Sequence, residues 1–173
     1  MVLPGDLVIS VRDLGSDDAH IVGVKGANLN EGFAVTHHAY FRFLRDNKLD
    51  IKIKHLLETI NFARGDSVVQ VSTYIKKLIT TSKMPDNIIY RIFGHYQDIK
   101  APSILVHLFI ISGDPLQGKV LGEKAHEVSG EAVLFGTIRS LWSLLFEPQL
   151  LLYRHNNNLE HLKTGASVIV EKA

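Results

Sequence analysis

At 173 residues the chain is long enough for one domain with a substantial core, and its 46% hydrophobic and 21% charged residues are those of an ordinary globular protein. A formal net charge of +1 gives no reason to expect nucleic acid or an anionic membrane as a partner. The chain has no cysteine, which excludes disulfides, thiolate zinc sites and cysteine nucleophiles. The nine histidines are scattered, only His37 and His38 being adjacent, and none stands in a His-Glu-x-x-His zinc spacing. No basic-then-apolar leader opens the sequence, and no apolar stretch reaches the roughly 18 residues of a membrane span, so a soluble cytoplasmic protein is expected.

In chain order, Leu7 to Arg12 is short and β-branched and predicts a strand. Gly15, Ser16 and the aspartates around them predict a turn across residues 13–18. An apolar run then enters Gly23-Val24-Lys25-Gly26. Glycine permits close backbone approach, so Lys25 can present a point charge to an anion such as phosphate. A glycine-punctuated turn with a solvated lysine satisfies the same residues, and the P-loop pattern is absent. A short helix is expected over residues 27–30. Thr36 is a natural N-cap for a helix over 36–46, with Tyr40, Phe43 and Leu44 at helical spacing.

Residues 51–63 predict an amphipathic helix through Ile53, Leu56, Leu57 and Ile60, stopped near Gly65. Asp66 is placed to cap the next, over 66–82, with Val68, Val71, Tyr74, Ile75, Leu78 and Ile79 on one stripe. Pro85 at a first helical position opens a third, over 85–97. Such stripes mark core rather than ligand sites. Ser103 to Ile111 is a continuous apolar run and predicts a buried strand, interrupted only by His107. Gln117 to Gly122 holds two glycines and Lys119, with Lys124 close behind; it serves equally as a solvated hairpin turn or as a source of backbone donors and positive charge. Further strands are expected at 120–128 and 166–172. Between them Leu134, Ile138, Leu141, Trp142 and Leu145 stripe a helix over 131–146, and Asn156-Asn157-Asn158 forms a turn.

Val22-Gly23-Val24-Lys25-Gly26-Ala27-Asn28-Leu29 resembles the Val-Gly-Gly-Lys-Gly-Ala-Asn-Leu opening of the phosphoenolpyruvate synthase and pyruvate phosphate dikinase family. Leu14-Gly15-Ser16-Asp17-Asp18 is similar to that family's Leu-Gly-x-x-Asp element. Gly32-Phe33-Ala34-Val35-Thr36, Trp142-Ser143-Leu144-Leu145-Phe146 and Tyr153-Arg154 follow in family order, and Ala166 to Lys172 is similar to the family's Val-Val-Val-Gln-Lys-Met strand. The likeness covers nearly the whole chain.

The resemblance implies an α+β fold, the N-terminal part of an ATP-grasp-type nucleotide-binding domain with a mixed sheet packed with helices, over a single domain 1–173. It implies ATP as ligand, held through Lys25, His107 and Lys119, and magnesium only if the other half of the ATP-grasp is supplied. The three central helices match the family's helical insert.

Departures from the pattern imply eroded nucleotide binding. About ten residues are missing before Gly32. The strand arginine that grips the phosphates falls at His107, replacing a permanent five-donor charge with a titratable ring. The family's Ser-Phe-Ala-Gly-Gln loop is replaced at 117–122, and Gln149 stands for an arginine. The resemblance therefore implies the ATP-binding portion of an enzyme converting ATP and pyruvate to phosphoenolpyruvate, without catalysis by the isolated chain, and His107→Arg is expected to strengthen binding. The alternative is a degenerate, non-catalytic module that binds a partner. The expected partner is a second copy or a separate catalytic chain, without nucleic acid or membrane.

Overall fold

The structure, a computed structural model, describes residues 5–13, 31–111 and 120–173, by backbone alone for 109–111 and 120–125. Among these residues one five-stranded sheet packs one face into a core with helices. The strands are β1 (Val8–Ser10), β2 (Gly32–Val35), β3 (Ile104–Ile111), β4 (Val120–Val128) and β5 (Gly165–Lys172), in the spatial order β1-β2-β5-β3-β4. All four pairings are antiparallel, which corrects the expected mixed sheet. No βαβ crossover joins neighbouring strands here, and only such crossovers force parallel pairing. The architecture is α+β.

Alternation along the strands separates two faces. Phe33, Val35, Ile104, Val106, Leu108, Ala166, Val168 and Val170 point to the helices and join one core. The helices are α1 (His37–Asp46), α2 (Leu49–Glu58), α3 (Gly65–Thr81), α4 (Asp86–Ile99), α5 (Glu131–Ser143) and α6 (Pro148–Asn156). Each lays an apolar stripe inward: Ile75 and Ile79 from α3, Ile88 and Ile92 from α4, and Leu134, Ile138 and Trp142 from α5 are all fully buried. Trp142 packs between Tyr40 and Phe43, with ring centroids 5.7 and 5.2 Å away. It is a core residue, as its stripe predicts.

Several boundaries differ from the sequence expectation, each for a local reason. The first strand ends at Ser10, where a 3-10 turn takes over Val11–Asp13. Gly32–Val35 is a strand that the reading did not assign. Gly32 lies against β5 so closely that an added Cβ would sit 2.0 Å from the Val170 carbonyl oxygen. Thr36 does occupy the N-cap of α1, but its hydroxyl makes no capping bond; it donates instead to Asp6 O at 2.5 Å. Gly65 begins α3 rather than ending the helix before it, and Asp66 lies in the first turn, where Arg64 donates to its carboxylate.

Pro85 is the residue before α4. The helix expected over 131–146 ends at Ser143 in a 3-10 turn, Leu144–Phe146, and α6 follows unassigned by the reading. The expected turn at Asn156 to Asn158 begins once α6 has ended at Asn156. The expected turn over 13–18 and helix over 27–30 lie outside the described residues, apart from Asp13, as does the loop expected over 117–122 up to residue 119, its last three residues belonging to β4. No helix among the described residues is long and apolar enough to cross a membrane.

Candidate functional site

His107 sits mid-way along β3, opposite Ile169 of β5. Its neighbours Val106 and Leu108 point into the core, so its ring belongs to the face opposite the main core. Two residues along, Leu105 faces Glu171 on β5 and Glu127 on β4, which puts both carboxylates on that same face. His107 Nε2 lies 2.8 Å from Glu171 Oε1. The two side chains retain only 21% and 11% of their exposure, so the pair is largely withdrawn from water but still reachable.

This contact decides what position 107 can offer. A histidine already bonded to a carboxylate presents no net positive charge to an incoming anion. Glu171 was not singled out by sequence reasoning. The available signal was an acid in an otherwise apolar strand, at the place where the Val-Val-Val-Gln-Lys-Met spelling has glutamine. Lys25 and Lys119, the other two expected site residues, lie outside the described residues.

Arg154 is a different case. It matches the Tyr-Arg motif, but its guanidinium is fully buried, and its Nη1 donates to Leu145 O at 2.5 Å. It thereby ties α6 to the 3-10 turn that follows α5. Burial holds the Tyr40 phenol well above its usual range, and Arg154 pulls it only partly back. These residues are structural: no solvent-facing surface is left on them.

A polar cleft of about 440 Å³ opens beside the end of α4 and the start of β2, lined by Arg12, Glu31, His95, Asp98 and Lys100 among others. Arg12 forms an ion pair with Glu31 across it. Its charges are mixed, Arg12 and Lys100 against Asp13, Glu31 and Asp98.

Residues 19–173 match the family model described as "Pyruvate phosphate dikinase, AMP/ATP-binding domain". The chain belongs to this family. It is similar to a probable phosphoenolpyruvate synthase of Methanothermobacter thermautotrophicus, 28% identical over 98% of this chain and 28% of that protein. It is also similar to phosphoenolpyruvate synthases of Aeropyrum pernix, 26% identical over 96% of this chain and 23% of that protein, and of Helicobacter pylori, 25% identical over 93% and 22%. The chain thus spans less than a third of the length of the curated relatives it matches.

Within this pyruvate phosphate dikinase-type domain, the motifs that carry the family likeness divide into two kinds. Gly32 to Thr36, Trp142 and Arg154 are explained by packing alone, since each is a close backbone contact or a buried side chain. His107 and Glu171 are different: they stand on the sheet face opposite the main core and keep some exposure. His107 is the expected site residue that the described residues include.

Proposed function

We propose that the chain is the ATP-binding N-terminal portion, ATP-grasp in type, of a phosphoenolpyruvate synthase-like phosphotransferase, and that it is inactive alone. The family match over residues 19–173 carries this reading. Phosphoryl transfer depends on metal ions and positioned charges around the γ-phosphate. Among the described residues no cluster of three or more histidine or acidic side chains is placed to hold a metal ion. These residues therefore do not fit magnesium, and no step is derived through it.

The role left to this chain is to offer a surface to the nucleotide. Lys25 supplies the main cation to the phosphates, with Lys119 as the second. His107, being paired, contributes little. A millimolar affinity of about −4 kcal/mol follows from so few charges. Calorimetric titration of the chain with ATP, with and without magnesium, tests this. Weak saturable binding lost in Lys25→Ala, with no hydrolysis, is expected. Micromolar binding that survives loss of Lys25 overturns it. A degenerate module binding a second copy or a separate catalytic chain is the second reading, favoured by the carboxylate beside His107.

A further inference from the structure

The outer face of α4 carries three features that no contact among the described residues explains. Ile88, Ile92 and Ile99 point inward, so Asn87, Tyr90, Gly94 and Gln97 run along the opposite face at spacings of three and four residues. Tyr90 is 76% exposed, and Phe93 beside it 37%. Gly94 lies mid-helix, where glycine costs stability relative to alanine, yet an added Cβ would meet nothing within 4 Å. Asp98 puts a negative charge in the last turn, the end at which the helix dipole favours a positive one. Arg91, Asp98 and Lys100 are exposed and make no ion pair among the described residues, while Asp86 pairs with Lys83, itself exposed.

From these features we propose that the outer face of α4 is an interface between two copies of this chain, paired antiparallel about a twofold axis. The inference rests on the second reading above, a module that binds a second copy, and names the surface used. An axis passing between Phe93 and Gly94 lets each Phe93 ring reach over the other copy's Gly94, where no side chain stands in the way. It sets each Tyr90 against the other copy's Gln97. The charges then meet in opposite pairs. Arg91 and Asp98 lie on one flank of the face, and antiparallel pairing brings Arg91 of each copy near Asp98 of the other. Asp86 and Lys100 lie on the other flank and meet in the same way. Each end of one helix dipole also lies beside the opposite end of the other. A second copy supplies all of this at once, because the pattern is its own complement. One face of a 14-residue helix is small for an interface, so the association is weak, with a dissociation constant on the order of 100 µM.

Sedimentation equilibrium of the chain without nucleotide, from about 10 to 500 µM, tests this. Wild type is expected to move from monomer toward dimer across that range. Tyr90→Ser should weaken association at least about tenfold, as loss of a central tyrosine anchor does. Gly94→Gln should weaken it too, by filling the space that Phe93 enters, while raising the unfolding midpoint of the dilute monomer. A glycine needed only for the fold would not give two changes of opposite sign. Arg91→Asp and Asp98→Arg each set like charges against one another and should weaken the dimer. Together they restore the pairing and should bring the affinity back within about threefold of wild type. All of these positions are exposed, so the variants keep the fold.

Three results overturn the proposal. A strict monomer at about 500 µM leaves this face to some other chain. A dimer indifferent to Tyr90→Ser and to both charge reversals uses another surface; the second reading then stands and the role of α4 falls. Losses from the two reversals that add in the double variant, rather than cancel, rule out the antiparallel pairing. The nucleotide reading is judged separately. Because no ATP is present, failure of the ATP titration above leaves the dimer standing, and a monomer leaves the nucleotide reading standing.

Discussion

Gly32 and Glu171 are register partners on β2 and β5, and the closeness of the two backbones there is a property of single residues. A methyl group at position 32 would lie 2.0 Å from Val170 O and 2.8 Å from Glu171 Cα, both backbone atoms that cannot turn aside. Gly32→Ala is therefore expected to cost about 3 kcal/mol or more, as overpacking against rigid neighbours does. Urea unfolding would measure it, and a variant as stable as wild type would show that β2 and β5 are not this close.

A second residue-scale effect sits at the chain's other end. His155 stacks on Phe62 with ring centroids 3.8 Å apart, and His161 lies parallel to the same ring at 6.0 Å. Burial first, then the charges of Arg154 and His155, hold His161 down at about 4. The unfolded imidazole takes its proton near pH 6.5. Between these values the unfolded chain binds more protons, so stability is full above about pH 6.5 and is lost as pH falls toward about 4. His161 is half-buried, and solvent screening reduces the effect to roughly 1–2 kcal/mol. His161→Gln should flatten that part of the stability–pH curve; an unchanged slope would remove His161 as its source.

At the scale of elements, Thr36 joins three of them. Its N–H donates to Leu7 O at 3.0 Å, and its hydroxyl donates to Asp6 O at 2.5 Å, so the start of α1 is tied to the entry of β1. Thr36→Val keeps the shape and loses the hydroxyl, with an expected cost of about 1 to 2 kcal/mol. Amide exchange should quicken first in β1, a strand of only three residues; uniform loosening across the sheet would place the role of Thr36 elsewhere.

This junction also shows why the elements were unevenly legible. The stripes of α3, α4 and α5 repeat over three or more turns and could be read directly. β2 is four residues long, too short to show a period, and its Gly-Phe-Ala-Val carries no element signal of its own. α6 was missed because its core face includes Arg154, a charged residue where the pattern calls for an apolar one. His107 could be read as the break in an apolar strand. Glu171 could not, because its meaning depends on β5 pairing with β3 across 64 positions of sequence.

For the whole molecule, a nucleotide held through Lys25 would be bound only by the folded chain. Any ligand that prefers the folded state raises its stability by mass action. At a dissociation constant of about 1 mM, 10 mM ATP contributes about 1.4 kcal/mol. In a chain of this size that amounts to a rise of roughly 3–6 °C in the unfolding midpoint. The comparison must be made at matched ionic strength, since added salt alone screens surface charges. Lys25→Ala is expected to lose the rise while keeping the midpoint in buffer unchanged. A rise of the same size in Lys25→Ala would put the nucleotide at another site. No rise in either protein, at a concentration ten times the expected dissociation constant, would leave this chain the fold of an AMP/ATP-binding domain without its ligand.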